Sequence, residues 1–224
     1  MSASQPNLLP ATDNAVSADP VHAAWVDLSR FDNRSYRPGR GRFVRALWYM
    51  VSLLVFESGW VPLTRPKRWL LRLFGASVGR GLVIKPHVWI KYPWRLAVDD
   101  HCWIGQGVWI DNLADVRLGS HVCISQQVYI CTGGHDYRKE TFDLIARPVE
   151  VGNGAWLGAR ALVLGGATVG PNAVVAAGSV VTKDVAPAAI VAGQSAGPIS
   201  EARRPPEVAA EAPSEKFKRP RLPR

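Results

Sequence analysis

The 224-residue sequence predicts an all-β fold, a parallel solenoid with triangular coils, preceded by a short helical region and bounded by flexible termini. Three observations carry this. First, an aliphatic residue returns every sixth position over residues 78–186: Val78, Ile84, Ile90 and Leu96; Val98, Ile104, Ile110 and Val116; Leu118, Ile124 and Ile130; then Val151, Leu157, Val163, Val169, Val175 and Val181. A helix needs steps of three and four and a half-buried strand steps of two, so a sustained period of six fits a coil of short flat sides, each sending one side chain inward. Second, the fifth slot after each aliphatic holds residues that can also face inward, among them Leu82, Cys102, Ala114, Ala155, Ala173 and Ser179, with Trp94 as the bulky exception. Third, Val78, Val98 and Leu118 are spaced by twenty residues, three hexapeptides plus two, which gives a three-sided cross-section.

Taken in order, residues 1–26 are rich in Ala, Ser, Pro and Asn without periodicity and are expected to be disordered. Residues 27–41 read as an extended arm that can pack on a neighbouring subunit. Residues 27–77 together form an N-terminal arm and amphipathic helical region. Its apolar part, residues 46–56, is far shorter than the roughly twenty residues a bilayer span needs. Two readings stay open for residues 43–74: helices that cover the open end of the solenoid, or an anchor lying in a membrane interface. Between Arg30 and Arg95 fourteen Lys or Arg face only two acids, Asp32 and Glu57. This cationic half is either a solvated face or a contact for an anionic bilayer or a phosphorylated substrate.

The solenoid domain is assigned to residues 78–200. Gly at the position after many of the aliphatics (Gly79, Gly105, Gly119, Gly152, Gly158, Gly170) is expected where the chain bends through unusual backbone angles. From Leu118 to Val151 the step grows to 33, so a loop at about 132–148 leaves the wall. Long excursions from a regular scaffold tend to carry function. Residues 201–224, with Pro205-Pro206 and a basic end, read as a flexible tail.

A hydrophobic content of 47% with nine Trp supports one sizeable core, and the net charge of +9 comes without any nucleic-acid recognition motif, so no nucleic-acid partner is expected. Three cysteines without a CxxC pair argue against a disulfide framework or zinc ribbon and for a reducing compartment. Residues 1–19 lack the basic start and apolar run of a secretory signal. Localisation is therefore expected to be cytoplasmic, with a peripheral place at the inner face of the cytoplasmic membrane as an extension of that reading.

The coil pattern, the loop Thr132-Gly-Gly-His-Asp-Tyr137, and Gly154-Ala-Trp-Leu-Gly-Ala159 followed by Ala177-Gly-Ser-Val-Val-Thr-Lys-Asp184 resemble the hexapeptide-repeat acyltransferases. Trp109-Ile-Asp-Asn-Leu-Ala114, Cys123-Ile-Ser-Gln126 and Gly134-His-Asp-Tyr137 resemble most the branch of colanic-acid and exopolysaccharide acetylation, related to the galactoside, maltose and nodulation-factor acetyltransferases. The resemblance covers about residues 27–200. It implies a left-handed parallel β-helix, a homotrimer, and acetyl-CoA as co-substrate in a groove between subunits.

His135 follows two glycines on the one long excursion and coincides with the family's catalytic His. A neutral imidazole can take the proton of an acceptor hydroxyl as its oxygen attacks a thioester. Asp136 is adjacent in sequence and tends to point elsewhere. Asp111 and Asn112 stand where the resembling enzymes hold an acceptor-contacting polar residue; either can instead satisfy its own corner backbone. Trp156, Gly158, Ala159, Ala177, Gly178 and Lys183 match the segments that border the family's CoA groove, with Lys183 able to meet a phosphate. His101 and His121, twenty residues apart, invite a metal reading, but without a third His no metal site is expected. The function expected is transfer of acetyl from acetyl-CoA to a sugar hydroxyl in exopolysaccharide assembly, the acceptor being a sugar or glycan that can be lipid-linked. Transfer is expected to be direct, since no activated Ser or Cys accompanies the His. The rivals are an acetyltransferase of a small non-polysaccharide acceptor and a non-catalytic, membrane-associated solenoid scaffold.

Overall fold

The computed structural model describes residues 26–200. The expected tail at 201–224, and all but the last residue of the segment 1–26, lie outside the described residues. Two compact units divide them: residues 26–36 with 135–144, and residues 37–134 with 145–200.

The larger unit is the solenoid. Its strands, two or three residues each, stack in parallel into three walls. Wall A begins at Ser77–Val78, wall B at Val83–Ile84 and wall C at Trp89–Ile90. Partners in the ladders are twenty residues apart in the first coils, as in Ser77 with Ala97 and Trp103 with Cys123. The step becomes 33 at Arg117 with Glu150, then 18, as in Trp156 with Val174, and 16 at Val174 with Ile190. All seventeen periodic aliphatics are at most 9% exposed, which establishes a single apolar interior running through every coil. The small inward slots are buried too, Cys102, Ala155, Ala161 and Ala173 completely. The two extra residues of the long coils lengthen wall A, whose strands Leu96–Val98, Val116–Leu118 and Val149–Val151 each bury both end residues.

Two expectations need correction. Trp94 does not face inward: it lies half-buried in a turn at Pro93–Arg95, stacks on Tyr92, and donates its indole N–H to the Pro38 carbonyl at 2.6 Å. The half-buried indole packs against the core and holds residues 37–39. The glycines that follow the aliphatics are not there for backbone angles. A Cβ on Gly105 would lie 2.7 Å from the Ser125 carbonyl carbon, and one on Gly170 would lie 2.5 Å from Pro187 N. Glycine is required because adjacent coils touch backbone to backbone. The left-handed turn falls two residues later, where His87, His101, His121, Gln127, Arg160 and Asn172 hold φ values of 58 to 61°.

The open end of the first coil is covered by helices. Helix α1 (Arg42–Val51) runs on through a π-helical segment, Ser52–Glu57, and is followed by α2 (Thr64–Leu73). Trp48, Phe56 and Leu71 are buried against the solenoid core. Unpaired backbone groups of the first coil find partners there: Trp48 Nε1 donates to the Ile90 carbonyl (2.8 Å), Lys67 Nζ to that of Lys85 (3.2 Å), and Arg72 to that of Val78 (2.7 Å). Capping is thus one real role of residues 43–74. At the far end, Ile190–Ala192 is covered by the antiparallel strand Gly197–Ser200.

Candidate active site

The wall-C strand Tyr129–Cys131 leads into a two-stranded ribbon, Gly133–His135 with Leu144–Ala146. Within the smaller unit His135 is exposed. Its Nδ1 lies 2.9 Å from the Phe142 carbonyl oxygen. A carbonyl can only accept, so Nδ1 carries the proton and Nε2 presents its lone pair in the neutral ring. The Phe142 ring stacks on the imidazole (centroids 4.3 Å apart, planes 5° apart) and Phe31 meets it edge-on at 5.6 Å. Phe142 itself sits at φ 49°, a backbone state costing about 1–2 kcal/mol that its two contacts with His135 help offset. Asp136 does not orient the ring. Its carboxylate accepts from the side chain and backbone N–H of Arg138, which hold it below the usual carboxylate range. The arm at 27–36 packs on this same chain's loop: Asp27 N–H donates to the Glu140 carbonyl, and Arg30 pairs with Glu140.

In the larger unit, Asp111 lines a cavity of about 290 Å³ between α1 and wall C. Trp89, Tyr92 and Trp109 give aromatic walls, and Arg45, Glu57, Lys91 and Asp111 the ionisable groups. Lys91 Nζ is 2.9 Å from Asp111 Oδ1, and Tyr129 OH donates weakly to Oδ2 at 3.4 Å. Asn112 is not available to an acceptor. It is fully buried, its Oδ1 accepting from Tyr92 N (2.9 Å) and its Nδ2 donating to Tyr92 O (2.6 Å), so it ties two coils together.

The structure brings five of the six residues expected to border the CoA groove to one corner. Trp156 is half-exposed on wall B, its indole N–H donating to Ser125 Oγ at 2.8 Å. Gly158 is buried, and a Cβ there would lie 2.6 Å from Ala177 N. Ala159 and Gly178 are joined by a 2.8 Å backbone hydrogen bond. Ala177 and Gly178 are exposed, and nothing lies within 4 Å of a Cβ built on Gly178. Lys183, exposed, stands past the next wall strand, Val180–Val181.

WcaF of Escherichia coli (strain K12), whose name assigns it to colanic acid biosynthesis as an acetyltransferase, is 38% identical over 178 residues, 78% of this chain and 96% of its own. The chain belongs to the hexapeptide-repeat acetyltransferases. Residues 148–183 match the bacterial transferase hexapeptide family (six repeats). The galactoside O-acetyltransferase of E. coli (strain K12) is 28% identical over 127 residues, 55% of this chain and 63% of its own. A hexapeptide-repeat acetyltransferase of Vibrio cholerae O1 biovar eltor, solved with acetyl coenzyme A, shares the fold at a TM-score of 0.65 and 23% identity, over 72% of this chain and 88% of that one. The protein is accordingly an enzyme, an acetyltransferase of this family.

Several site features escaped the sequence reading. Phe31 and Phe142 hold the imidazole of this acetyltransferase, yet nothing in the six-residue pattern marks them, because both lie off the solenoid. Trp89, Trp109 and Tyr129 form an outward ladder, with Trp109 and Tyr129 stacked at 4.6 Å. They could have been found by applying the same period to the slot just before each aliphatic. His101 and His121 also stack, at 5.3 Å and 18°. Among the described residues no group of three His, Cys, Asp or Glu is placed to hold a metal ion.

Proposed function

We propose that the protein transfers the acetyl group of acetyl-CoA directly to a saccharide hydroxyl, with His135 as the general base. The observation that carries this is the hydrogen bond from Nδ1 to the Phe142 carbonyl, which fixes the tautomer and leaves Nε2 as the acceptor. In the reaction the acceptor oxygen attacks the thioester carbonyl carbon while Nε2 takes the hydroxyl proton. The tetrahedral intermediate then collapses, and the CoA sulfur leaves with the proton that His135 returns. The Phe142 carbonyl stabilises the imidazolium while it exists, since it accepts from the more acidic N–H.

Direct transfer is supported by the state of the thiols. Burial pushes the Cys102 and Cys123 thiols up, away from the thiolate a nucleophile needs, and the Cys131 thiol donates to the Gly133 carbonyl at 3.2 Å. A saccharide acceptor is supported by the galactoside of one relative's name and by the cavity at Asp111. Its aromatic walls suit the C–H faces of a pyranose, and its charges suit the hydroxyls. Exopolysaccharide biosynthesis of the colanic-acid kind rests on the relative at 38% identity. Acetyl-CoA is assigned to the corner formed by Trp156, Gly158, Ala159, Ala177 and Gly178, with Lys183 on a phosphate. A homotrimer is favoured by the outward residues of the walls. Walls B and C present Trp103, Trp156, Trp109, Leu162 and Val180, whereas wall A presents Ser77, Arg117, Glu150 and Thr168.

The test is to supply acetyl-CoA with monosaccharides, nucleotide sugars, lipid-linked oligosaccharides and serine, and to follow free thiol. Saccharide-dependent release, with an O-acetyl ester located on the sugar by NMR and no acetylated enzyme by intact mass, is the expected result. Equal release with serine, or an acyl-enzyme, would contradict the assignment.

A further inference from the structure

We propose that the outer face of the helical cap is a docking surface for an anionic lipid bilayer. This goes beyond the acetyl transfer assigned above and does not depend on which acceptor is used.

A capping helix needs one apolar face, and this one has two. On the inner side of the continuous helix at 42–57, Trp48, Ser52 and Phe56 are buried. On the opposite side, at steps of four, three and four, Phe43 (84% exposed), Leu47 (58%), Met50 (52%) and Leu54 (63%) form a stripe open to solvent. The patch is extended by Trp60 (88%) and Leu63 (67%) in the connection and by Trp69 and Leu73 (62% each), four residues apart on α2. Single exposed apolar residues are ordinary, but ten large ones within 31 residues of chain, Val44 and Tyr49 included, are not.

Charge decides what covers the patch. Residues 42–73 carry Arg42, Arg45, Arg65, Lys67, Arg68 and Arg72 against one acid, Glu57. Lys67 is buried on the Lys85 carbonyl, and Glu57 is turned to Ser52, whose hydroxyl donates to it at 2.8 Å. Burial also raises the Glu57 pKa, so its negative charge is disfavoured. What the cap shows to solvent is therefore aliphatic and indole surface with Arg42, Arg65 and Arg68 beside it in the chain, while Arg72 is turned to the Val78 and Gly79 carbonyls and Arg45 to the Asp111 cavity, and with no fully exposed carboxylate. That is the composition of a segment lying in a membrane interface, with Trp at headgroup level and Arg on lipid phosphates. No helix among the described residues is long and apolar enough to cross a membrane, so the contact is in-plane.

The experiment is flotation of the full chain with vesicles of phosphatidylcholine and phosphatidylglycerol, against phosphatidylcholine alone. The wild type is expected to float with the anionic vesicles, and several-fold less with neutral ones or at high salt. The double variant Leu47→Glu, Leu54→Glu is expected to lose at least tenfold in bound fraction. Its thermal unfolding, its size by light scattering and its thiol release with a soluble acceptor should stay those of the wild type. Three results would overturn the proposal: a wild type that stays at the bottom of the gradient, a variant that floats as well as wild type because the basic residues after 201 suffice, or a variant whose oligomeric size changes because the stripe joins two copies of the chain.

Discussion

Replacing Gly105 by alanine places a methyl group 2.7 Å from the Ser125 carbonyl carbon and 2.9 Å from Gln126 N and the Ile124 oxygen, all backbone atoms of the next coil. Carbon atoms rest about 3.5 Å apart or more, so the two coils must separate locally by about 0.8 Å. The hydrogen bond from Gly105 N to Ile124 O, now 2.8 Å, then stretches to about 3.6 Å and is lost. With one or two neighbours, such as Trp103 N to Val122 O, the loss is about 2–4 kcal/mol. The smaller conformational freedom of alanine in the unfolded chain returns about 0.4–1 kcal/mol. A net destabilisation of about 2–3 kcal/mol lowers the thermal midpoint by roughly 4–12 °C in a chain of this size. Gly197, where no atom lies within 4 Å of an added Cβ and φ is not positive, is the control, and its alanine variant should stay within about 0.5 kcal/mol of wild type. Circular dichroism melts of both variants decide the matter. If Gly105→Ala melts with Gly197→Ala, direct backbone contact between coils is not what places glycine there.

Other consequences can be checked alongside it. Asn112→Ala leaves both Tyr92 backbone groups without partners inside the coil, costing about 2–4 kcal/mol by denaturant titration, while the KM for acceptor moves less than about twofold. The backbone N–H and the guanidinium of Arg80 hold Asp100 below the ordinary carboxylate range. Its contribution is therefore present above the unfolded-state value near 3.9 and lost as pH falls through the folded value, so Asp100→Asn should flatten the acid limb of the stability curve below about pH 4. Lys183→Ala should raise the KM for acetyl-CoA by about fivefold with kcat little changed, in line with about 1 kcal/mol for an exposed ionic contact.

The solenoid was legible because burial in it is periodic. One aliphatic slot in six fixes both the inward face and the coil length, and a step from Leu118 to Val151 can only mean that chain has left the wall. What such periodicity could not show was why a residue type recurs. Gly105 and Gly170 looked like bends but are contacts between coils, whereas Gln127 and Asn172, unremarkable in sequence, carry left-handed turns. The candidate site was legible in part. His135 stood out on its excursion, but its partners Phe31, on the N-terminal arm, and Phe142, on the loop, lie in segments without a repeat. Asn112 shows the opposite failure: a polar residue beside Asp111 invites a binding role, yet its side chain points into the stack, where only the backbone of Tyr92 can meet it.

The measurement that tests the account most directly is the acetyl-transfer rate of His135→Ala beside its affinity for acetyl-CoA, measured by calorimetry. If His135 is the base, kcat falls by about two to four orders of magnitude while acetyl-CoA binding and the melting temperature stay those of the wild type. A variant that turns over at the wild-type rate would remove His135 from the chemistry and, with it, the reading of the loop that holds it.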